Sequence, residues 1–253
     1  LLPCPAGPRD ETCARAFITA FGRRAFRRPL GTGDVDRYLM LHRNIAVEDG
    51  FIEGARWVIT AMLQSPHFLY RPELGTPGES AWALTDHEIA SEISYLFWAS
   101  MPDDELLAAA DAGALHTKDQ IAAAARRLLA SPKSRPMLDH FAAAWLGTDA
   151  VLDVTRPPAS YPEFTPAIRT AMRAESLALF DRVMRGAGTR LPDLYLSTES
   201  LLTDDLADYY GLTGSPTWSN GDGTARWDTA AAHRVGILSH GSLLAALAGP
   251  DAP

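Results

Sequence analysis

The sequence predicts an all-α fold, an irregular multi-helix bundle with long Pro/Gly-rich loops. Apolar residues recur at the three- and four-residue steps of a helix along most of the 253 residues. No segment alternates apolar and polar residues over a length that predicts a sheet. Clusters of proline and glycine separate the periodic segments, so we expect the helices to be joined by turns and irregular loops.

The first 65 residues predict three helices. The first covers 10–28, with an apolar residue at every fourth position, and Pro29 stops it. The second begins at Thr32 with apolar residues on one face. The third covers 49–64 and has an apolar stripe that ends at Ser65.

A connector at 66–83, rich in proline and glycine, predicts a boundary between this helical segment and the main body. Directly after it, Thr85 and Glu88 have the spacing of a capping box, which begins a helix. The remaining helices are predicted to begin at or near Met101, Thr117, Pro132, Pro166, Ser197 and Ala230, the last one covering 230–248.

Two domains follow from this organisation. We expect an N-terminal helical segment over 1–72 and a central helical domain over 84–211.

The composition excludes several function classes. A net charge of -8 makes this an acidic protein and argues against nucleic acid as a partner, because phosphate binding needs a basic face. No run of about 18 apolar residues is present, so no transmembrane segment is predicted. Hydrophobic residues at 47% and charged residues at 21% are ordinary for a globular protein, which excludes wholesale disorder.

The two cysteines, Cys4 and Cys13, lie close together at the start of the chain. A disulfide between them would fix the N-terminus to the first helix and would indicate an oxidising compartment. The alternative is a pair of free thiols. A zinc site is disfavoured because no histidine lies nearby to complete a ligand set.

The candidate catalytic residues are Glu88, Glu175 and His240. Glu175 shares a helix stripe with apolar residues, so its carboxylate is predicted to face the core. A carboxylate there must be paired, bind a metal or stay protonated, because isolated burial of its charge is costly. Glu88 begins an aromatic-rich helix, and a bundle can bring carboxylates from separate helices together.

A structural interpretation of the same acids is favoured. A buried Glu–Arg ion pair needs only one nearby arginine, and no Glu-x-x-His pattern accompanies these acids. The arginines available for it are Arg126, Arg127, Arg169 and Arg173.

The spacing of the histidines and serines gives little support for a metal site or a serine hydrolase. His233 and His240 lie seven residues apart, which on a helix is roughly 10 Å. Both could bind one metal only if the helix were broken, which Gly236 or Gly241 could allow, and a structural role for the two histidines is the favoured interpretation. We therefore predict no metal site and assign no cofactor. The serines around Ser239 and Ser242 lack the Gly-x-Ser-x-Gly spacing and a predicted preceding strand, so a serine hydrolase is disfavoured.

A set of aromatic residues could line a ligand cleft, although a core role is the favoured interpretation. The set comprises Trp82, Tyr95, Phe97, Trp98, Phe141 and Trp145.

Several sequence segments resemble those of a large planctomycete and myxobacterial protein family, which is built from adjoining domains of unknown function. Residues 13–30 and 62–71 are similar to its N-terminal, 1595-type segment. Residues 84–98 and 100–107 resemble its central domain, numbered 1592. Residues 234–243 resemble the opening of a 1588-type neighbour. The resemblance therefore implies that residues 230–253 are the start of a truncated C-terminal domain.

The resemblance implies a secreted or envelope-associated protein, joined to or encoded beside c-type cytochromes, with no established reaction. At the position of Glu92, relatives carry Arg. This chain departs from the family pattern there, so an ion pair on that helix cannot be carried over from the relatives. Relatives also continue beyond 249–251. Either this sequence is a bounded segment of a longer chain, or proteolytic maturation occurs at Pro253 and the C-terminal fragment stays bound as a partner.

Three roles are therefore considered. The first is a periplasmic or extracellular helical protein that supports or docks a c-type cytochrome-linked redox system, with a cytochrome or a co-encoded chain as partner. It would carry no covalent haem, because Cys-x-x-Cys-His is missing. The second is a secreted enzyme that acts on an extracellular polymer or small molecule through a carboxylate/His site. The third is a structural or assembly module.

Overall fold

The computed structural model describes residues 9–77, 82–186 and 188–249. The fold is mostly helical, with two small sheets. The chain divides into two compact units, an N-terminal unit that ends at Leu128 and a C-terminal unit that begins at Leu129. The three predicted domain limits stay a prediction, because a compact unit and a domain recognised in sequence need not coincide.

The N-terminal unit is built from seven helices and one two-stranded sheet within its described residues. The helices are α1 (Glu11–Phe26), α2 (Thr32–Asp49), α3 (Phe51–Leu63), α4 (Pro66–Leu69), α5 (Asp86–Trp98), α6 (Asp104–Asp111) and α7 (Lys118–Ala130), the last of which continues past the unit boundary. The strands are β1 (Thr76–Pro77) and β2 (Trp82–Ala83), which pair antiparallel.

Helices α1, α2 and α3 enclose the first core, around Phe17, Ile18, Val58 and Met62. The side chain of Asp10 accepts a hydrogen bond from the backbone N–H of Cys13 and so caps α1. A second core lies among α5, α6 and α7.

The capping box predicted at the start of α5 is confirmed. Thr85 accepts from the backbone N–H of Glu88, and the Glu88 carboxylate accepts from the backbone N–H of Thr85. This reciprocal pair fixes the point at which the connector ends and the helix begins.

Arg27 holds the end of α4. Its side chain is 3% exposed, and Nη2 donates to the carbonyl oxygens of His67 at 2.7 Å and Tyr70 at 2.8 Å. These carbonyls lie at the C-terminal end of a helix, where backbone acceptors lack intrahelical partners. A buried cation thus satisfies them without a carboxylate.

The C-terminal unit contains five further helices, three strands and four 3₁₀ segments within its described residues. The helices are α8 (Arg135–Leu146), α9 (Pro166–Arg185), α10 (Asp193–Leu196), α11 (Asp204–Tyr209) and α12 (Gly241–Leu247). The strands are β3 (Glu199–Thr203), β4 (Trp218–Ser219) and β5 (Thr224–Asp228). The 3₁₀ segments are Pro132–Ser134, Thr148–Asp153, Ala230–Ala232 and Ile237–Ser239.

Helix α9 is the central element of this unit. Its predicted stripe is buried, and Met172, Glu175 and Leu179 are at most 4% exposed. Thr165 caps the helix by accepting from the backbone N–H of Ile168, and Pro166 occupies the first turn, where no N–H is needed. Glu175 therefore projects into the interior.

The expectation that the chain forms no sheet is wrong. Strands β3, β5 and β4 form an antiparallel sheet in that order, and β3 occupies part of the segment predicted as a helix at 197–210. Along β3, Ser200 and Leu202 are buried while their neighbours are partly exposed. This alternation spans only five residues, too short to predict a sheet without its partner strand.

The single helix expected over 230–248 is also wrong. His233 at φ 56° and Gly236 at φ 61° interrupt it, so this range holds two short 3₁₀ segments followed by α12. Gly236 packs against the backbone of Tyr195, where an added Cβ would lie 2.2 Å from the carbonyl oxygen. This contact requires glycine and prevents a continuous helix.

Three further expectations concern the ends of the chain or its membrane topology. None of the helices in the described residues is long and apolar enough to cross a bilayer. Cys13 is buried in α1, but Cys4 lies outside the described residues, so the disulfide stays a prediction. Residues 250–253, where the predicted processing point falls, also lie outside them.

Candidate functional site

A cavity of about 450 Å³ opens in the C-terminal unit beside α9 and α12, and we call it the α9/α12 cavity. Its walls are mainly apolar and aromatic, with Tyr161, Phe164, Met172, Tyr209 and Leu244 among the lining residues. Such walls favour a ligand that has an apolar body.

Two arginines, Arg156 and Arg234, also line this cavity. Arg156 Nη2 donates to the carbonyl oxygens of Ala245 at 2.9 Å and Ala248 at 3.1 Å, near the end of α12. Arg234 Nη1 donates to the carbonyl oxygen of Ser239 at 2.8 Å. Among the described residues, neither arginine forms an ion pair with a carboxylate, so the cavity keeps a positive charge.

Tyr210 connects the cavity to a buried polar network. The guanidinium carbon of Arg234 lies 3.6 Å from the centroid of the Tyr210 ring, a cation–π contact. The Tyr210 hydroxyl donates to Glu175 Oε2 at 2.7 Å and accepts from the backbone N–H of Gly241 at 3.1 Å. An added Cβ on Gly241 would lie 2.6 Å from this hydroxyl, so the glycine permits the close approach.

His240 lies on the other side of Glu175. Its Nε2 is 3.6 Å from Glu175 Oε1, and its Nδ1 is 3.0 Å from Ser176 Oγ. Ser176 Oγ is also 2.6 Å from Ser242 Oγ. Two of the three candidate catalytic residues, Glu175 and His240, are thus brought together.

Burial favours the uncharged form of both members of the Glu175–His240 pair. Burial raises the pKa of Glu175 to about 7, although hydrogen bonds from Tyr210 and Ser200 and the charge of Arg234 oppose the rise. Burial also lowers the pKa of His240 to about 3, and the charges of Arg234 and Arg182 add to this effect. Since both charged forms lose solvation and the 3.6 Å separation is longer than a hydrogen bond, we assign a neutral pair.

The order serine, histidine, acid in this network is that of a hydrolase triad, but its serine is inaccessible. Ser176 and Ser242 are both 0% exposed, and the α9/α12 cavity is lined by Met172 and Gly241 rather than by them. A nucleophile must reach the reacting carbonyl. The geometry therefore supports a positioning role for the network, and the predicted catalytic roles stay predictions.

Glu88, the third candidate, lies in the N-terminal unit, where it lines a separate cavity of about 270 Å³. Its carboxylate accepts four hydrogen bonds, two from Thr85 and one each from the backbone N–H groups of Leu74 and Gly75. Burial alone would raise the pKa of Glu88, but these hydrogen bonds outweigh it and hold the pKa below its ordinary value. The four hydrogen bonds of the Glu88 carboxylate join the connector to the start of α5, which is a structural role.

The favoured Glu–Arg ion pair is wrong for Glu175. Among the described residues no arginine lies within ion-pair distance of its carboxylate. Arg173 instead pairs with Asp149, and Arg169 donates to backbone carbonyls. Arg127 pairs with Asp103 in the N-terminal unit.

The core interpretation of the aromatic set is wrong for three of its members. Trp82 is 70% exposed, Phe141 51% and Trp145 50%. Trp98 does fit the core interpretation, because its indole packs against the second N-terminal core and donates to the carbonyl oxygen of Leu128. None of the set lines the α9/α12 cavity.

Sequence reasoning missed Arg156, Tyr210 and Arg234. The one available signal was the absence of an acid near Arg234 in sequence, where the nearest is Asp228. Arg156 contacts Ala245, and Tyr210 contacts Glu175 and Arg234, all distant in sequence, so the convergence of the three residues depends on tertiary structure. Within the described residues, no group of three or more metal-ligating side chains is found.

Two family models match the sequence. A model described as "Protein of unknown function (DUF1592)" matches residues 84–212, about half of the chain. A model described as "Protein of unknown function (DUF1595)" matches residues 13–73, N-terminal to it, so the suspected resemblance is confirmed. The 1588-type neighbour expected from residue 230 stays a prediction. No curated protein and no solved structure matches.

Proposed function

This chain belongs to the DUF1592 family of proteins of unknown function, and we propose that its C-terminal unit binds a small organic anion with an apolar body. The ligand class is an aromatic or short aliphatic carboxylate. One observation carries the proposal: two arginines without carboxylate partners line a largely apolar cavity.

The arginines suit a carboxylate because a guanidinium offers a planar fork of donors that matches its two oxygens. Backbone carbonyls hold Arg156 and Arg234 in position but leave their charge uncompensated. Preorganised cations reduce the entropy lost on binding. The chain as a whole carries a charge of -8, so the attraction is local to the cavity.

The size and walls of the cavity suit a small ligand. A volume of about 450 Å³ lies within the usual range of small-molecule sites. Phe164, Met172 and Leu244 would cover the apolar body. A strongly hydrated anion such as sulfate would leave these walls unused.

The test is calorimetric titration of the full chain with benzoate, 3-phenylpropionate and octanoate, each compared with its amide. We expect the acids to bind and the uncharged amides to bind at least tenfold more weakly. Arg234→Gln and Arg156→Gln should each lower the affinity about tenfold, the effect of losing about 1.4 kcal/mol. Arg190→Gln, an exposed arginine outside the cavity lining, is the matched control.

Two results would overturn this proposal. One is the absence of binding by all three acids at millimolar concentration. The other is equal affinity for acids and amides, which would show that the arginines do not recognise charge. A thermal melt of each variant separates lost binding from lost folding.

A second candidate function is acid–base catalysis on a small molecule, by Glu175 with His240. The observation that favours it is the raised pKa of Glu175, since a group that titrates near pH 7 can both give and take a proton. Glu175 is 2% exposed, so a substrate would have to exchange its proton through Tyr210. Loss of turnover in Glu175→Gln with unchanged ligand affinity would support catalysis, and unchanged turnover would exclude it.

For the whole protein, the family resemblance supports a role outside the cytoplasm beside a c-type cytochrome-linked redox system. The partner would be a cytochrome or a co-encoded chain, in the periplasm or at the cell surface. Purification from the native source with associated chains, followed by a visible spectrum, tests this role. A haem band in a stoichiometric co-purifying chain would support it, and a colourless sample without a partner would contradict it.

A further inference from the structure

A second cavity in the C-terminal unit lies on the outer face of the sheet and shares no lining residue with the α9/α12 cavity. Its volume is about 470 Å³. In the sheet register, Arg226 of β5 is paired with Leu201 of β3 on one side and Trp218 of β4 on the other. Directly paired residues share a face, so these three side chains form one row across the sheet.

The opposite face of the sheet is turned to the core. Leu202 is 1% exposed and its partner Ala225 is 5% exposed. Side chains alternate between faces along a strand, so the row with Arg226 faces outward into the cavity. Glu199 and Asn220, each two residues from a member of the row, line the same cavity.

The facing wall comes from α8 and the C-terminal half of α9. It supplies Arg135, Asp181, Arg182 and Arg185. Arg185 forms a two-pronged pair with Asp181, with distances of 2.7 and 2.8 Å, and Arg182 donates to Glu199 Oε2 at 3.1 Å. The side chains of Arg182 and Arg185 are therefore engaged by carboxylates that line the same cavity.

The other two arginines of the cavity keep donors available. The Arg226 side chain makes no hydrogen bond among the described residues, and its Nε lies 3.9 Å from Glu199 Oε2. Arg135 has only long contacts, 3.3 Å to Asp181 and 3.4 Å to Asp139. With four arginines and two carboxylates, the lining carries a net charge of +2.

Trp218 adds an aromatic platform to this charge. It is 48% exposed at the edge of the sheet, and the guanidinium carbon of Arg226 lies 5.5 Å from its ring centroid. An exposed indole face beside two arginines that make only long contacts to carboxylates is suited to a flat, partly apolar ring that carries an anion. A hydrophobic core role is excluded for this tryptophan by its exposure.

From this arrangement we propose that the sheet face binds an acidic sugar, a pyranose ring that carries a carboxylate. The C–H face of the ring would stack on Trp218, and the carboxylate would accept from Arg226 and Arg135. The side-chain nitrogen of Asn220 already donates to Asp222, so its side-chain oxygen would accept from ring hydroxyls, which an apolar aromatic acid lacks. This chemistry differs from that of the α9/α12 cavity, whose walls are apolar.

The test is calorimetric titration of the full chain with trigalacturonate, at an ionic strength near 0.15 M so that unspecific surface attraction is screened. Its methyl ester, which has the same rings without charge, is the ligand control. We expect trigalacturonate to bind at least tenfold more tightly than the ester. Trp218→Ala and Arg226→Gln should each lower the affinity at least tenfold, while Trp218→Phe should retain most of it.

Trp82→Ala and Arg190→Gln are matched controls, because both residues are exposed and lie outside this cavity. Arg234→Gln should also leave trigalacturonate binding unchanged, which keeps this proposal distinct from the one for the α9/α12 cavity. Absence of binding at millimolar concentration, equal affinity for the ester, or unchanged affinity in folded Trp218→Ala would overturn the inference. Tighter binding of adenosine monophosphate than of trigalacturonate would overturn it in favour of a nucleotide.

Discussion

Replacing either member of the buried Glu175–His240 pair should reveal a dependence of stability on pH that the intact chain conceals. The variants are Glu175→Gln and His240→Asn, which keep hydrogen-bonding groups in place. Both side chains are almost completely buried, so each change removes one titrating group from the interior.

The two groups act on stability with opposite signs. The pKa of Glu175 rises from 4.5 to about 7 on folding, so between these values the native state binds the additional proton. Its stabilising contribution is complete below pH 4.5 and is lost as the pH rises towards 7. The pKa of His240 falls from 6.5 to about 3, so its contribution is complete above pH 6.5 and is lost as the pH falls towards 3.

The windows overlap between pH 4.5 and 6.5, where the two contributions cancel. One proton difference changes the free energy of unfolding by about 1.4 kcal/mol per pH unit. Relative to the intact chain, Glu175→Gln should gain stability with rising pH by about this slope. His240→Asn should lose stability by about the same slope, so the two variants should differ by about 3 kcal/mol per pH unit.

The assay is urea unfolding of the full chain and both variants at pH 5.0, 5.5 and 6.0, followed by far-ultraviolet circular dichroism. A constant m value shows that the surface exposed on unfolding is the same at each pH. His116→Asn is the control, because His116 pairs with Asp86 at 3.2 Å but has a 59% exposed side chain. Its profile should follow that of the intact chain.

Parallel pH profiles for the two variants would refute the assignment of a neutral pair. A charged Glu175–His240 pair would make each single variant leave one uncompensated buried charge. Both variants would then lose stability together, with no crossing of their profiles.

Three contacts give further predictions, each checked by the urea midpoint of the variant. Arg27→Met should destabilise the protein by about 2–4 kcal/mol, because it leaves the carbonyl oxygens of His67 and Tyr70 without donors. Thr85→Ala should cost about 1 kcal/mol through loss of the cap of α5. Gly241→Ala should cost about 1–3 kcal/mol, since its Cβ would lie 2.6 Å from a tyrosine hydroxyl. An unchanged midpoint in any variant would contradict the contact on which its prediction rests.

Local signals in the sequence predicted the helices that depend on local interactions. The capping box at Thr85 and the apolar stripe of α9 use residues three or four positions apart, so a single sequence contains the whole pattern. The inward direction of Glu175 was predicted in the same way.

Elements that depend on distant partners were not predictable. Strand β3 needs β5, more than twenty residues later, to satisfy its backbone groups. Gly236 interrupts the last predicted helix because the backbone of Tyr195 approaches it. Neither contact leaves a periodic signal near the residue that it affects.

The same reasoning explains the incorrect partner predicted for Glu175. An arginine was expected because buried acids are usually paired by charge, and several arginines were near in sequence. The actual donor, Tyr210, follows α11 and reaches Glu175 across 35 positions of the chain. A neutral acid can be satisfied by a hydroxyl, which does not require a countercharge.

The neutral state of Glu175 also preserves the positive charge of the α9/α12 cavity. Arg234 stacks on the ring of Tyr210, and the hydroxyl of the same tyrosine donates to Glu175. An ionised Glu175 would place a negative charge behind this arginine and offset its attraction for an anion. Since the pKa of Glu175 is about 7, the affinity for a carboxylate ligand should fall as the pH rises past that value. By linkage, a bound anion should raise the pKa of Glu175 further.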